Sequence, residues 1–226
     1  NITQTVAGVK QLTSIEGKFK GVRQGTGVGD NRYSTHSRTT ITTSSKIIVM
    51  AAAEVWVLRA EAALRGFTSE DVESCYKQGV TTSFAQWDAS GVSEYLESEN
   101  TPADYVDTFD KNFDAKATTS ITPKWDNTAD NETKLERIIT QKWLAIYPEG
   151  CEAWAEQRRT GYPKLFKVVV NNSSNAISTD DMIRRVFFNQ DYITNNKPLY
   201  DALVSKLGGL DTGGTRLWWD TGKNNF

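Results

Sequence analysis

The strongest constraint on the fold is a pair of helical patterns at residues 50–89. The first, at about 50–65, consists mainly of Ala, Leu, Glu and Arg, which are strong helix formers, and a glycine follows it. The second, at about 68–89, begins with a capping-box pattern in which Thr68 is the N-cap and Asp71 follows three residues later. Two helices joined by so short a turn predict an antiparallel hairpin similar to a tetratricopeptide unit.

Further helices are predicted downstream of this hairpin. A third helix is expected to begin at Thr101, because Pro102 suits the first helical position and Asp104 completes a capping box. Three aromatic residues would share one face of this helix at four-residue spacing: Tyr105, Phe109 and Phe113. The remaining predicted helices span about residues 132–147, 151–160 and 199–207.

The other segments are predicted to be irregular or extended. Residues 1–49 are rich in Gly, Ser and Thr, whereas 165–170 and 182–188 have the pattern of short strands or extended segments. We therefore expect a mainly α fold with helix hairpins and a few short extended segments. We expect a single domain over residues 1–226, divided into a loop-rich part (1–49), the hairpin (50–89), helices (101–160) and an irregular C-terminal region (161–226).

The composition excludes several classes of function. Lys and Arg total 26 and Asp and Glu total 28, so the chain lacks the excess of basic residues that general nucleic-acid binding requires. A single histidine, His36, cannot supply the several imidazoles of a typical zinc site, and we expect no metal and no cofactor. Cys75 and Cys151 form no CxxC pair, and the sequence leaves open whether they join in a single disulfide. No run of about 18 apolar residues is present.

A glycine-rich stretch at residues 21–29 has a superficial similarity to a phosphate-binding loop. Neither GxxxxGK[ST] nor GxGxxG is met, and no helical pattern follows it, so nucleotide binding is not favoured. Two interpretations stay open, a plain surface loop and a loop that faces a ligand. The second rests on a local cluster of basic and aromatic residues: Arg23, Arg32, Tyr33, His36 and Arg38.

Four blocks of the sequence carry a resemblance to a known family. They are AEVWVLRAEAALRG at 53–66, QKWLAIYPEGCEAWAEQRRTGYP at 141–163, IRRVFFNQDY at 183–192 and GGLDTGGTRLWWD at 208–220. In this order they resemble the SusD/RagB-like outer-membrane lipoproteins, and they are most similar to the starch-binding-associating, SusD-like subgroup. The resemblance covers residues 50–220.

The resemblance implies an α-helical fold in which tetratricopeptide-like helix pairs support an irregular ligand-binding face. It also implies a non-catalytic protein on the outer face of the outer membrane of Bacteroidetes-type bacteria. Such a protein captures oligosaccharides, or sometimes peptides, and hands them to a SusC-like TonB-dependent transporter. A lipid anchor would hold it to the membrane, and this chain does not contain that anchor.

Members of this family are about twice the length of the chain, so we expect it to correspond to their C-terminal half. An additional N-terminal segment would then be needed to cover part of the apolar face of the 50–89 hairpin.

Aromatic side chains are the natural candidates for sugar binding, because they offer a large flat surface at little cost in rotamer freedom. Most tryptophans lie within the helical blocks or the C-terminal signature, where packing is the favoured role: Trp56, Trp143, Trp154, Trp218 and Trp219. The candidates for ligand contact are instead in loops or at helix ends. They are Arg23, Arg32, Tyr33, Trp87 and Trp125, and no catalytic residue is assigned.

Charged residues suggest three alternatives. Glu54 and Glu61 lie two turns apart on one helix, about 10.5 Å by the helical rise, and a carboxylate pair of this kind could serve a glycoside hydrolase. We favour ion pairing with arginine instead. The arginine pairs at 158–159 and 184–185 could bind anions, although pairing with carboxylates is again favoured. Residues 126–130 resemble a calcium loop but lack its required glycine and glutamate.

Three functions are therefore compared: a glycan-capture protein, a carboxylate-dependent hydrolase, and a helical scaffold that binds peptides or proteins. Binding without turnover would distinguish the first from the second. Recovery of a peptide and no glycan would favour the third.

Overall fold

A computed structural model describes residues 2–6, 9–13, 19–26, 33, 36–37, 39, 41–45 and 47–226. The described residues are mainly helical, as the sequence predicts, and two short strands lie near the N-terminus. The strands are β1 (Ile2–Val6) and β2 (Val9–Thr13). The helices are α1 (Ala52–Leu64), α2 (Val72–Gln86), α3 (Val92–Leu96), α4 (Asn131–Ala145), α5 (Gly150–Thr160), α6 (Gln190–Asn195) and α7 (Lys197–Leu207).

The chain separates into two compact units. The helical unit consists of residues 41–103, 117–165 and 223–226 and contains α1 to α5. The loop unit consists of residues 1–40, 104–116 and 166–222 and contains the two strands, α6 and α7. The expected single-domain organisation stays a prediction.

Helices α1 and α2 form the hairpin that the sequence predicts. Gly66 takes a left-handed conformation with φ +74° just after α1, which lets the chain reverse. The cap of α2 differs from the prediction: Asp71 itself is the N-cap, and its carboxylate accepts a 2.8 Å hydrogen bond from the Ser74 amide. The Thr68 capping box was therefore wrong, because an Asp-to-Ser74 cap satisfies the first turn three residues further along.

The core of the helical unit forms where α4 packs against this hairpin. A close approach between α1 and α2 occurs at Gly79, where a Cβ atom would lie 2.7 Å from Val57 Cγ1. Tyr76 is fully buried and packs on Trp125 with 5.1 Å between ring centroids. The buried members of this core are Val57, Ala60, Cys75, Tyr76, Val80, Trp125, Leu135, Ile138 and Ile139.

Helices α4 and α5 follow the predicted bounds closely. Asp130 caps α4 by accepting a 2.7 Å hydrogen bond from the Thr133 amide. Gly161 ends α5 in a left-handed conformation, which is a common C-terminal helix signal. Asp130 at the start of α4 and Gly161 at the end of α5 are residue types that favour these positions through their own local chemistry.

The hairpin is not fully covered within the described residues. Val55 and Leu58 lie three residues apart on α1 and are exposed, as are Met50 before α1 and Phe67 after it. The sequence predicts an uncovered apolar face at this position. That an additional N-terminal segment covers it stays a prediction.

The predicted helix at residues 101–113 is wrong. Tyr105 forms an isolated antiparallel bridge with Ala115, and only Lys111–Phe113 form a short 3₁₀ turn. Hydrogen bonds from the chain to its own aspartates replace a helical ladder here: Asp107 accepts from the amides of Phe109 and Asp110. Helix α3 at Val92–Leu96 was missed, because five residues are too few to show a helical period.

In the loop unit, β1 and β2 pair antiparallel with Val6 opposite Val9 and Ile2 opposite Thr13. These strands lie within residues 1–49, which the sequence predicts to be rich in loops. The predicted extended segments lie among loops and form no strand: the Val169 amide donates to the Gln24 carbonyl, and the Arg184 amide donates to the Gly213 carbonyl. Helix α7 occupies the predicted 199–207 region.

Three features of the described residues bear on function. No helix in the described part combines the length and the apolar character that a membrane crossing requires. No cluster of three or more His, Cys, Asp and Glu side chains among those residues is arranged to hold a metal ion. Cys75 is buried, Cys151 is exposed, and both are free thiols, so the disulfide that the sequence left open does not form.

Candidate functional site

Tyr33, His36 and Phe109 form an aromatic loop cluster in the loop unit. The Tyr33 ring stacks on His36 with 5.1 Å between centroids and meets the edge of Phe109 at 5.2 Å. His36 Nε2 lies 3.1 Å from Thr108 Oγ1, and the imidazole is buried. The sequence grouped Tyr33 with His36, but it assigned Phe109 to a helix face.

The Asp107 carboxylate accepts hydrogen bonds beside this cluster. The Tyr33 hydroxyl donates to both of its carboxylate oxygens at 3.1 Å, and the Tyr105 hydroxyl donates at 3.0 Å. Burial alone would raise the pKa of Asp107, but the amides of Phe109 and Asp110 and the two tyrosine hydroxyls hold it below its usual value. Burial, together with the Asp107 charge, raises the pKa of Tyr105 to about 12. The carboxylate is therefore ionised and fully occupied by donors.

The Arg23 guanidinium is engaged by backbone carbonyls of the same unit. Nη1 donates to Phe113 O and Asp114 O at 3.0 and 3.1 Å, and Nε donates to Lys167 O at 3.0 Å. These hydrogen bonds connect three segments of the loop unit, around residues 23, 113–114 and 167. The ligand role predicted for Arg23 stays a prediction, and Arg32 and Arg38 lie outside the described residues.

Trp87 is placed differently, at the exposed end of α2 in the helical unit. Its side chain is 43% exposed, and its ring lies 6.2 Å from the ring of Tyr147, which is 45% exposed. The two planes are tilted by 52°. Tyr147 follows the end of α4, and the sequence did not single it out because it sat inside a block explained by helix packing.

Trp125 is only 7% exposed. Its ring packs on Tyr76, and its indole nitrogen donates to Asn127 Oδ1 at 2.8 Å. This burial favours a packing role over sugar stacking. The predicted site residues thus fall into three places: the aromatic loop cluster, the exposed end of α2, and the core of the helical unit.

Glu54 and Glu61 belong to a buried ion network of the helical unit. Glu61 binds the Arg159 guanidinium through two hydrogen bonds of 2.7 Å and also accepts one from Arg65 at 2.8 Å. Glu54 lies 3.5 Å from the buried ammonium of Lys142. The sequence predicted arginine partners for both glutamates, and it missed Lys142.

Lys142 is the centre of this network. Its Nζ lies 2.7 Å from Glu152 and 3.3 Å from Glu156, in addition to Glu54. Burial alone would lower the pKa of Lys142, but the carboxylates of Glu152 and Glu156 raise it above its usual value. The ammonium is therefore charged and surrounded by three carboxylates.

Glu61 is held as an ionised carboxylate, whereas a catalytic acid must carry a proton. Burial alone would raise its pKa, but the hydrogen bonds and charges of Arg159 and Arg65 lower it. A general acid in glycoside hydrolysis requires a raised pKa so that a proton is held at neutral pH. The geometry is therefore that of a structural ion network.

The arginine pairs also meet carboxylates of their own unit. Arg159 binds Glu61 and Glu156 in the helical unit. In the loop unit, Arg185 binds the buried carboxylate of Asp211 at 2.5 Å. Arg184 pairs with Asp181. These contacts agree with the ion-pairing interpretation for Arg159, Arg184 and Arg185. The Arg158 guanidinium instead lies over the Trp154 ring, 3.7 Å from its centroid.

Comparison with known proteins gives a consistent set of relatives. The model of the SusD-like family, described as SusD and RagB outer membrane lipoprotein, matches residues 4–220. A SusD homolog from Bacteroides vulgatus ATCC 8482 is 50% identical over 92% of the chain and 44% of its own length, with a TM-score of 0.83. A chitin-binding SusD homolog from Flavobacterium johnsoniae is 46% identical over 80% of the chain and 38% of its own length, with a TM-score of 0.75.

A third solved structure, a SusD homolog from Bacteroides thetaiotaomicron VPI-5482, is 37% identical over 91% of the chain and 46% of its own length, with a TM-score of 0.83. The chain spans less than half of the length of each of these relatives. A comparison with curated proteins gives no match. The family match over residues 4–220 and these identities show that the chain belongs to the SusD-like family of SusD and RagB outer membrane lipoproteins.

Proposed function

We propose that this protein captures oligosaccharides at the outer face of the outer membrane, without turnover, and delivers them to a SusC-like TonB-dependent transporter. The observation that carries the proposal is the family match over residues 4–220, together with a 46%-identical relative described as chitin-binding. A lipid anchor would hold the protein to the membrane.

The described residues support capture rather than catalysis. Aromatic side chains are exposed at loops and helix ends, where they can stack on sugar rings. The glutamates that could have served a hydrolase are instead held by Lys142, Arg65 and Arg159.

Calorimetric titration tests the capture step. The panel contains chitohexaose, maltohexaose, cellohexaose and an oligogalacturonate, each added to the purified chain. We expect saturable binding of at least one of them, and chromatography of the same mixture should recover the ligand intact. Release of new reducing ends would contradict the non-catalytic assignment, and binding of peptides with no glycan bound would favour the scaffold alternative.

Affinity purification from the native membrane tests the delivery step. A tagged full-length protein should bring down a TonB-dependent barrel in mild detergent, identified by mass spectrometry. A matched outer-membrane lipoprotein of another family serves as the control. Recovery of the barrel with the control alone would contradict the proposed partnership.

A further inference from the structure

The exposed end of the helical unit carries two aromatic rings that contact each other and are partly open to solvent. Trp87 and Tyr147 lie 6.2 Å apart with their planes tilted by 52°, and each side chain is exposed over more than two fifths of its area. Trp143, one turn before Tyr147 on α4, is exposed as well. We call the Trp87 and Tyr147 pair the aromatic platform.

The platform is fixed by the backbone beneath it. The Trp87 amide donates to Ser83 O and caps α2, while the next residue, Asp88, takes a positive φ of 51° that turns the chain away. Gln86 donates from Nε2 to Ala145 O at 3.3 Å, which ties the end of α2 to the end of α4. A rigid support of this kind lowers the entropic cost of ordering two rings around a ligand.

The two chain segments that carry the platform have charged residues of one sign. The segments that carry the two rings, residues 84–91 and 144–151, contain the acidic residues Asp88 and Glu149 and no Lys, Arg or His. Both carboxylates are exposed, and neither pairs with a cation among the described residues. They are therefore free to accept hydrogen bonds from hydroxyl groups, and they repel carboxylate and sulfate groups.

We propose that the aromatic platform is a stacking subsite for neutral oligosaccharides of at least two sugar rings, an inference that rests on the proposed function. Sugar rings expose C–H groups on one face, and these groups pack well on an aromatic ring. Two rings tilted by 52° cannot both lie flat on a single pyranose, so the pair contacts adjacent sugar units. The acidic flanks select neutral sugars over uronic or sulfated ones.

Substitution of the platform tests this inference. Trp87→Ala and Tyr147→Ala should each weaken the binding of the neutral hexasaccharide that the wild-type chain binds, by about tenfold, as measured by calorimetry. Trp87→Phe and Tyr147→Phe should restore most of the affinity because they keep a ring. The dissociation constant should fall steeply from monosaccharide to disaccharide of the same series.

Control variants and folding measurements test whether the loss of affinity is specific to the platform. Trp218→Ala removes a 90% exposed ring from the loop unit and should leave the affinity unchanged. Circular dichroism and the melting temperature should be unaltered in the platform variants, because both side chains are partly exposed. The double variant Asp88→Asn with Glu149→Gln should retain binding of the neutral hexasaccharide and improve binding of oligogalacturonate.

The outcomes separate the inference from the proposed function. Unchanged affinity in the Trp87→Ala and Tyr147→Ala variants, with glycan binding intact, would overturn the inference alone and leave the proposed function standing. Equal affinity of the wild-type chain for oligogalacturonate and its neutral counterpart would overturn the selection for neutral sugars. If no member of the panel binds, the proposed function fails and the inference fails with it.

Discussion

His36, the only histidine of the chain, has an imidazole enclosed by aromatic rings. It stacks on Tyr33 and meets the edge of Phe109. Among the described residues its Nδ1 has no hydrogen-bond partner. Burial first, and then the charge of Lys20, lower its pKa from 6.5, while Asp107 acts in the opposite direction. The folded state therefore resists protonation of this ring.

We predict that the loop unit loses stability as the pH falls below about 6.5. The unfolded chain binds the proton more tightly than the folded chain, so the contribution of His36 is complete above that pH and declines on acidification. Melting curves of untagged protein between pH 7.5 and 5.5 measure it. His36→Phe keeps a ring without a titrating group and should show a flatter dependence, whereas parallel curves for the two proteins would contradict the prediction.

Lys142 offers a second residue-scale prediction. Lys142→Met should lower the free energy of unfolding by about 3 kcal/mol, because it removes the buried cation that three carboxylates share, while Arg159 stays paired with one of them, Glu156. The pKa of Lys142 is raised, so its contribution is complete below about pH 10.5 and the difference should persist through neutral pH. Urea unfolding at pH 7 measures it.

The control for this prediction is an exposed ion pair. Lys197→Met removes a pair with Asp201 at the surface of α7 and should cost less than about 0.5 kcal/mol. Equal losses for the two lysine variants would contradict a buried network.

The sequence could indicate some of these residues and not others. Trp87 stood out because it precedes a turn, whereas Tyr147 and Lys142 were hidden inside a block that helix packing explained. Trp125 also precedes a loop, yet it is buried, because the loop folds back on Tyr76. Exposure at a helix end depends on neighbours that are distant in the sequence, so local pattern alone cannot separate Trp87 from Trp125.

At the scale of elements, the closest helix contact gives a sharp prediction. Gly79→Ala should destabilise the helical unit by roughly 1–3 kcal/mol, because the added Cβ would lie 2.7 Å from Val57 Cγ1. Alanine is the better helix former by about 1 kcal/mol, so the clash must exceed that gain. Gly150→Ala adds the same atom to α5 with no heavy atom within 4 Å and should be neutral or stabilising.

Thermal or urea unfolding of the two glycine variants distinguishes packing from propensity. Stabilisation by both substitutions would show that propensity dominates and that α1 and α2 can separate without cost. Both glycines lie in helices, but Gly79 is in the interior of α2 and crowded by Val57, whereas Gly150 is the first residue of α5 and has open space around it.

Elements were predictable where local chemistry marks their ends. Asp130 and Gly161 delimit α4 and α5, and the predicted bounds lie within two residues of the observed ones. The 101–113 region shows the opposite case, because its caps and aromatic spacing satisfied a helical pattern while Asp107 captured the amides that a helix would have used. Phe109 belongs to the aromatic loop cluster, which its contact with the distant Tyr33 makes apparent.

At the scale of the whole molecule, the separation into two units determines where a ligand should act. The aromatic platform lies within the helical unit, on α2 and beyond the end of α4. The aromatic loop cluster lies within the loop unit. Ligand binding to a folded unit raises the free energy of opening for that unit, because the unfolded chain does not bind.

We predict that a neutral oligosaccharide at 100 times its dissociation constant stabilises the helical unit by about 2.7 kcal/mol. The corresponding rise in melting temperature is roughly 5–10 °C. Hydrogen exchange read by mass spectrometry locates the effect: peptides from α2 and α4 should gain protection, whereas peptides from α7 should not. Protection of α7 without protection of α2 would place the sugar in the loop unit, and loss of the effect in Trp87→Ala would tie it to the aromatic platform.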